Sequence, residues 1–383
     1  MVGPVGSSGG RRRRAGRRSE RLRVAVLMGG PSSEHDVSLT GGACVATVLA
    51  GLDPYEVLPI VIDRSGQWRI PRRHVVKARA SVGARGGVLA DAEPAIDPRD
   101  PEAWKPLGGL PEGLAHLRDW PADVVMPVLH GRFGEDGTLQ ACLAAVGLPF
   151  VGSDARGSML AFDKVRAKEV YLQHGLPTPD YEVVRAADMP GQAAAHVRRW
   201  EERFGFPLIL KDPLGGSSLE VRKVGDDGEA LAAAQELMAG GADRILVEAF
   251  VAGRELTVGV LEDRDGPHPL PVVEIRPRGR ELFDFQQKYA DDGAEELCPA
   301  PLEPDVAERA AALGVAAHRA LGLGALSRTD LMLDAEGRLQ ILETNTLPGM
   351  TSRGLVPLAA RTAGIDFTRL VERLVRQARR ATP

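Results

Sequence analysis

Residues 23–36 of this 383-residue chain read RVAVLMGGPSSEHD. The apolar, valine-containing run at the start is typical of a buried strand, and the glycines and serines after it predict a loop. A helix is predicted next, with Ser38 or Thr40 as its N-cap and with apolar residues continuing to Leu52. A strand, a loop and a helix in succession form the unit from which parallel sheets are built.

Two further apolar runs extend this unit into a sheet. Residues 57–63 (VLPIVID) and 123–130 (DVVMPVLH) predict two more strands. The second run is followed by a glycine-punctuated loop, a predicted helix over 138–146 and a predicted short strand over 149–152. This alternation predicts a doubly wound parallel sheet. Residues 66–122, rich in Gly, Pro and Arg, give little periodic signal.

The remainder of the chain predicts smaller layers of the α+β class, antiparallel in its first part. Helices are predicted over residues 161–174, 193–204, 228–239 and 304–321, and another near the C-terminus. Strands are predicted over residues 183–184, 207–211, 220–224, 244–248, 255–261, 271–275, 326–333 and 339–344. We therefore expect an Arg-rich leader, an N-terminal α/β domain, a central subdomain and a C-terminal subdomain, over residues 1–21, 22–155, 156–260 and 261–383. The polar stretch 276–299 is long enough to be a lid or a disordered loop.

Composition excludes several classes of protein. No run approaches the ~18 apolar residues of a transmembrane helix. Cys44, Cys142 and Cys298 are scattered, which excludes a disulfide scaffold and disfavours structural zinc; we expect reduced, small apolar side chains. Residues 1–23 hold eight Arg and one Glu, so the rest of the chain is acidic, which argues against a nucleic-acid-binding body.

The Arg-rich leader has two interpretations. We expect it to be disordered, or translated from an upstream start; the alternative is contact with nucleic acid or an anionic membrane. It has no apolar core segment and therefore does not resemble a secretory signal.

Two neighbouring predicted strands carry the strongest chemical signal. Arg328 and Asp330 lie two residues apart on one, and Glu343 and Asn345 on the next. Residues at i and i+2 point to the same side of a strand, so the carboxylates and the amide are expected together. Such oxygen donors suit Mg²⁺. A solvated charged face is the alternative, and the leucines on the opposite face weaken it.

Two further segments suggest nucleotide binding. Lys211 ends a predicted strand and is followed by the loop 215–218 (GGSS), whose amides could wrap phosphates, although such loops often only turn. The chain has seven Lys and 41 Arg, so a lysine can mark a place where a compact ammonium is needed. Residues 245–251 (ILVEAFV), with Glu255 beyond, could offer backbone groups to adenine, or form a simple core strand.

Taken together, these residues resemble the D-alanine–D-alanine ligases of the ATP-grasp superfamily. Three motifs occur in the family's order: residues 29–39 (GGPSSEHDVSL), 130–137 (HGRFGEDG) and 343–351 (ETNTLPGMT). Lys288 and Tyr289 fall in the segment that the family uses as a mobile loop over the site. The resemblance runs from about Leu22 to the C-terminus and implies a three-domain ATP-grasp fold with the N-terminal doubly wound parallel sheet.

The resemblance implies an ATP site. By it, Lys164 and Lys211 hold ATP phosphates, Lys288 approaches the γ-phosphate, and Ser217 and Ser218 lie in the loop that closes over them. Adenine and ribose recognition is implied for the Glu248 side chain, the backbones of Ala249 and Val251, and the Glu255 side chain. Two Mg²⁺ ions, for which Mn²⁺ can substitute, are implied at Asp330, Glu343 and Asn345.

It also implies the amino acid sites. Glu34 would bind the ammonium of the first D-alanine and hydrogen-bond with Ser217 and Tyr289, while His130 orients that substrate. The oxyanion site would be Arg328 with the Gly349 amide. The second carboxylate would be received by Leu355 and its neighbour Gly354.

Three positions depart from the family pattern. Asp212 stands where the family has Pro, which puts a carboxylate near the phosphates, and Glu220 stands where it has Gly. Gly354 stands where a Ser is common, so a hydroxyl donor is missing. We expect this loss to weaken acceptor binding and Gly354→Ser to restore it by up to about tenfold.

The implied function is ATP-dependent ligation of two D-alanines, through an acyl phosphate, for peptidoglycan precursors. The alternative is an ATP-grasp ligase that joins D-alanine to a different amino acid or a hydroxy acid; Tyr289 favours an amino acid. A third hypothesis is a paralogue that binds nucleotide without catalysis. We expect D-alanine and ATP as small-molecule partners, no nucleic acid or membrane, a homodimer, and a cytoplasmic location.

Overall fold

The computed structural model describes residues 21–72, 97–215, 221–277 and 294–380, and three sheets organise these residues. The first sheet has the strand order β4-β3-β2-β1-β5. Its strands are β1 (Leu22–Gly29), β2 (Tyr55–Ile62), β3 (Trp68–Pro71), β4 (Trp104–Gly108) and β5 (Val124–Leu129). Strand β1 pairs in parallel with β2 and β5, whereas β3 and β4 are antiparallel.

Helices cover both faces of this sheet, as the sequence predicts. They are α1 (His35–Ala50), α2 (Leu110–Asp119), α3 (Thr138–Ala145) and, from the far end of the chain, α10 (Phe367–Arg380). Alternate residues of β1 enter different cores: Val24 and Val26 pack with α1 and α10, and Ala25 and Leu27 pack with α2 and α3. Burial on both faces explains why the parallel strands are continuous apolar runs.

One segment of this domain has elements that the sequence does not predict, and one predicted strand is wrong. Residues 66–122 contain β3, β4 and α2, although their sequence gives little signal, because the strands are short and β4 has only Trp104 buried and includes Pro106. The strand predicted over 149–152 is a single bridge from Phe150 to Val125.

The second sheet is antiparallel, which confirms the predicted layer, with order β6-β9-β7-β8. Its strands are β6 (Tyr181–Arg185), β7 (Leu208–Lys211), β8 (Val221–Val224) and β9 (Arg244–Ala249), and α6 (Ala193–Phe204) and α7 (Asp227–Ala239) pack against it. The helix predicted over 161–174 is instead two helices, α4 (Ala155–Phe162) and α5 (Lys164–Gln173). Asp163 divides them because its backbone is extended and its carboxylate caps α5.

The third sheet has the order β13-β12-β10-β14-β15, with β11 paired to β10. Its strands are β10 (Gly253–Asp263), β11 (Gly266–Pro269), β12 (Val273–Arg276), β13 (Glu295–Leu297), β14 (Leu326–Asp334) and β15 (Leu339–Asn345). Helix α8 (Pro304–Ala320) packs on this sheet, and α9 (Leu355–Thr362) precedes α10. Because β10 runs across residue 260, we propose that the central and C-terminal subdomains divide before Gly253.

Candidate active site

A cavity of about 370 Å³ lies between the second and third sheets. Strands β7 and β9 line one side, and β10, β12, β14 and β15 line the other. Eight residues singled out in the sequence line it together: Lys164, Lys211, Glu248, Ala249, Val251, Glu255, Asp330 and Glu343. Apolar side chains complete the walls, among them Ile209 and Met332, which the sequence analysis did not single out. Leu342 also lines the cavity, so the prediction that this leucine lies on the face opposite the metal ligands is wrong. Charged groups and apolar walls suit a nucleotide.

Helix α5 directs three polar side chains toward this region because they are spaced i, i+4 and i+7 on one face. The Nζ of Lys164 lies 3.1 Å from Glu343 Oε2 and donates to the carbonyl of Gly215 at 2.6 Å. One turn on, Lys168 is fully buried, and Tyr171 donates to the hydroxyl of Thr344 at 2.8 Å. Lys168 was missed, although its position one turn after Lys164 was the available signal.

Glu248 lies between two ammonium groups. Its Oε1 is 2.5 Å from Lys168 Nζ, and its Oε2 is 2.5 Å from Lys211 Nζ. Burial alone would raise the pKa of Glu248, but the two lysines outweigh burial and lower it. Burial lowers the pKa of Lys168 to about 8 against the opposing effect of Glu248. The buried carboxylate is therefore held ionised.

The three expected metal ligands come together on β14 and β15. Asp330 is directly opposite Glu343 in the strand register, and Arg328 is opposite Asn345. Arg328 donates to both oxygens of Asp330, and Asn345 Nδ2 donates to Asp330 Oδ2 at 3.3 Å. The two carboxylates are balanced here by Arg328 and Lys164. Two carboxylates and an amide at the end of a nucleotide-sized cavity fit the oxygen preference of Mg²⁺.

A second cluster of polar groups lies at one edge of the first sheet. Glu34 precedes α1 and His130 follows β5, and parallel strands bring such positions to the same edge. Ligand atoms of Glu34, His130 and Glu135 all lie within 4.8 Å of one another. Burial lowers the pKa of His130, and its Nε2 has no hydrogen-bond partner among the described residues. An unpaired buried nitrogen is suited to a bound substrate.

Glu135 was not singled out from the sequence. Its carboxylate accepts from the N–H groups of Gly131 at 2.8 Å and Leu347 at 3.3 Å. Burial raises its pKa to about 7. Its place in the second motif was the available signal. Through Leu347, it links the first sheet to the loop that carries Gly349.

Comparisons with known proteins bear on this arrangement. The family model described as D-ala D-ala ligase N-terminus matches residues 23–153, and the one described as D-ala D-ala ligase C-terminus matches residues 170–376. The chain belongs to the D-alanine–D-alanine ligase family.

Related proteins match this chain over most of its length. A D-alanine–D-alanine ligase from Streptomyces griseus subsp. griseus is 38% identical over 93% of this chain and 92% of its own. One from Bordetella petrii is 44% identical over 69% of this chain and 78% of its own. The crystal structure of VanG D-Ala:D-Ser ligase from Enterococcus faecalis matches with a TM-score of 0.75 and 27% identity, over 94% of this chain and all of that one. The ligase family uses the ATP-grasp fold.

One departure from the ligase pattern has a structural role. The carboxylate of Asp212 accepts from the N–H of Leu214 at 2.9 Å and lies 3.9 Å from the Arg132 guanidinium. Asp212 does not line the cavity described above. The Asp212 carboxylate therefore accepts a hydrogen bond within the turn after β7 and lies near Arg132 of the second motif.

The neighbouring backbone gives a steric reason for glycine at position 354. It is the N-cap of α9, and a Cβ built on it would lie 2.7 Å from the carbonyl oxygen of Gly349. The expectation that Gly354→Ser restores a hydroxyl donor therefore meets a steric conflict, because a serine Cβ would force the loop at Gly349 to shift. A Cβ on Gly349 would meet nothing within 4 Å, so this side of the loop is open. Leu355 begins α9.

Several expected ligase residues lie outside the described part of the chain. These are Ser217, Ser218, Glu220, Lys288 and Tyr289, together with residues 1–20 of the leader. Among the described helices, none has the length and apolar character needed to span a bilayer.

Proposed function

We propose that this chain joins two D-alanine molecules into D-alanyl-D-alanine, with ATP as co-substrate, for peptidoglycan precursors. The observation that carries the proposal is the position of Arg328 between two sites. Its guanidinium pairs with Asp330 at the end of the nucleotide cavity, and the neighbouring strand β15 leads into Leu347, whose N–H donates to Glu135 of the second cluster at 3.3 Å. A phosphoryl donor and a carboxylate acceptor bound at the two sites would meet beside it.

The nucleotide cavity supplies the activation step. A carboxylate is a poor acyl donor because oxide is a poor leaving group. Attack by the carboxylate oxygen of the first D-alanine on the γ-phosphorus of ATP releases ADP and forms an acyl phosphate. Lys164 and Lys211 are placed to offset the charge of the phosphates.

Asp330, Glu343 and Asn345 would hold Mg²⁺, and we propose two ions, as the family resemblance implies. When bound, magnesium neutralises charge on the phosphoryl oxygens. Arg328 pairs with Asp330, and Lys164 pairs with Glu343, so both cations lie beside the proposed metal ligands.

The second cluster supplies orientation of the first substrate. The carboxylate of Glu34 would bind its ammonium, and the buried Nε2 of His130 would hydrogen-bond to its carboxylate end. The amine of the second D-alanine then attacks the carbonyl carbon, and phosphate leaves. Arg328 and the amide of Gly349 would stabilise the tetrahedral oxyanion.

One alternative concerns the second substrate. The structural neighbour from Enterococcus faecalis is named a D-Ala:D-Ser ligase, and Gly354 offers no hydroxyl to an acceptor. The 38% identical relative that spans most of the chain is named a D-alanine–D-alanine ligase, which favours the first reading. A cytoplasmic homodimer is part of the proposal, because ATP and the free amino acids are cytoplasmic metabolites and the resemblance implies a dimer.

The test is phosphate release with D-alanine alone, and with D-alanine paired with D-serine, D-lactate or L-alanine. Products are identified by mass spectrometry. We expect D-alanyl-D-alanine as the main product, with one phosphate released for each dipeptide. A mixed dipeptide or depsipeptide as the main product would favour the alternative, and nucleotide binding without turnover on any pair would favour a non-catalytic paralogue.

A further inference from the structure

Lys168 is a buried cation that the proposed mechanism does not use. Its side chain is 0% exposed, and it does not line the nucleotide cavity, whereas its partner Glu248 does. A lysine buried without access to solvent is costly unless it is paired. Its position behind a cavity residue therefore suggests that its effect reaches the ligand through that residue.

Contacts from several directions fix the ammonium of Lys168. It donates to the hydroxyl of Thr178 at 2.6 Å, and Thr178 donates to the carbonyl of Ile341 on β15 at 2.8 Å. The ring of Tyr181 lies 5.3 Å away, in cation–π contact. The Nζ thus has a defined position relative to both sheets that enclose the cavity.

Glu248 is the closest ionic partner of Lys168 among the described residues. Glu248 Oε1 lies at 2.5 Å, and Lys211 and Asp180 act on Lys168 at longer range. Glu248 Oε1 is buried and lies close enough to the Lys168 ammonium to accept a hydrogen bond from it, and a carboxylate oxygen has two acceptor positions. This oxygen therefore keeps a lone pair for another donor.

Lys211 does not replace Lys168 in this role. It contacts the other oxygen of Glu248, but it also lines the cavity, where the proposed function assigns it to phosphates. Its charge is shared with the nucleotide once ATP is bound. Lys168 contacts Glu248 from outside the cavity, so its charge acts on that carboxylate and not on a bound nucleotide.

We propose that Lys168 is a positioning residue that sets the preference of this enzyme for adenine by holding Glu248 as an ionised, hydrogen-bond-accepting carboxylate. An ionised carboxylate only accepts hydrogen bonds. It accepts from the amino group of adenine and repels the carbonyl oxygen that guanine presents at the same place. A protonated or displaced Glu248 would lose this distinction. The inference rests on the proposed function for the use of ATP, and on the family resemblance for the place of adenine against Glu248.

The test is equilibrium binding of ATP and of GTP, measured by calorimetry without D-alanine. Lys168→Met removes the charge and keeps an unbranched chain of similar length. We expect its ATP Kd to rise about tenfold, the value of one hydrogen bond to a charged group, while its GTP Kd changes little. Thr178→Val is the matched control, because it removes a neighbouring buried polar contact of Lys168 and leaves the charge. We expect this control to retain the preference for ATP.

A pH series on the parent protein provides a second measurement that needs no variant. Because burial lowers the pKa of Lys168 to about 8, the ratio of the GTP and ATP dissociation constants is expected to narrow as the pH rises from 7 through 8. Lys168→Met, where it folds, is expected to show a flat ratio.

Three results would overturn the inference: equal affinity of the parent for both nucleotides, an unchanged ratio in folded Lys168→Met, or a parent ratio independent of pH. Failure of the proposed function would look different. A parent that prefers ATP but makes no dipeptide leaves the role of Lys168 intact.

Discussion

The guanidinium of Arg328 donates to both carboxylate oxygens of Asp330, at 2.9 and 2.8 Å. The two residues lie on the same side of β14, because they are two positions apart. The group expected to stabilise the oxyanion and a carboxylate expected to bind Mg²⁺ therefore form one bidentate pair. Charge changes at either residue are expected to affect both functions.

Glu343→Gln should abolish turnover while leaving the fold intact. The change removes a metal-binding charge and the partner of Lys164, so we expect phosphate release to fall by roughly a hundredfold or more. Thermal unfolding followed by circular dichroism checks the fold. Glu336→Gln, an exposed carboxylate in the turn between β14 and β15, is the matched control and should keep full activity. Parent-like turnover by folded Glu343→Gln would contradict the metal assignment.

Glu135 should make stability depend on pH. Its pKa in the folded protein is about 7, above the ordinary value of a glutamic acid, so the folded state binds the proton more tightly than the unfolded state. The parent should therefore lose stability as the pH rises from about 4.5 to 7, by roughly 3 kcal/mol.

Denaturant unfolding of the parent and of Glu135→Gln at several pH values measures this dependence. The difference in free energy of unfolding between the two proteins should shift in favour of the variant as the pH rises. Since the glutamine amide has one accepting oxygen for two N–H donors, we also expect a higher KM for the first D-alanine. A pH-independent difference would show that Glu135 titrates normally.

Gly354→Ser should impair the enzyme. The added Cβ would lie 2.7 Å from the carbonyl oxygen of Gly349, so the loop must shift and the Gly349 amide with it. Initial-rate kinetics with both D-alanine sites resolved should show a lower kcat and no tighter acceptor binding. Gly354→Ala separates the two effects, since it adds the Cβ without the hydroxyl. A serine variant that binds the acceptor better than both parent and alanine would rule out the clash.

Asp163→Ala should destabilise the helix that carries Lys164 and Lys168. The Asp163 carboxylate accepts from the N–H of Val165 at 3.0 Å and pairs with Arg244 at 2.9 Å. Loss of such an N-cap costs about 1 kcal/mol. Asp163→Asn keeps the cap and weakens the ion pair, so its melting temperature should lie between those of the parent and the alanine variant. Equal melting temperatures for the two variants would mean that the cap contributes nothing.

The sequence predicts correctly those strands whose run of apolar residues follows from burial alone. Strands β1, β2 and β5 are apolar along their length because helices cover both faces. By contrast, β4 has only Trp104 buried and carries no such pattern. The break at Asp163 contains neither Gly nor Pro, and only the capping preference of aspartate marks it.

The site was predictable where a motif is local. Asp330 and Glu343 meet because their strands are neighbours joined by a short turn, and that arrangement can be read from spacing. The pairing of Lys168 with Glu248 joins an α5 residue to a β9 residue across three intervening strands and two helices, so spacing alone does not reveal it. Glu135 was missed because its partner Leu347 lies 212 residues away in the chain.

Helix α10 packs on the first sheet, although it is the last helix described. Its residues Phe367, Leu370 and Leu374 share one core with α1, and Tyr55 of β2 donates to Glu372, 317 residues further along the chain, at 3.1 Å. During synthesis on the ribosome, this apolar surface is made early but covered only when the final residues emerge. We therefore expect the nascent N-terminal domain to keep part of its apolar core uncovered until α10 is made, and a chain that ends before α10 to leave that core incomplete.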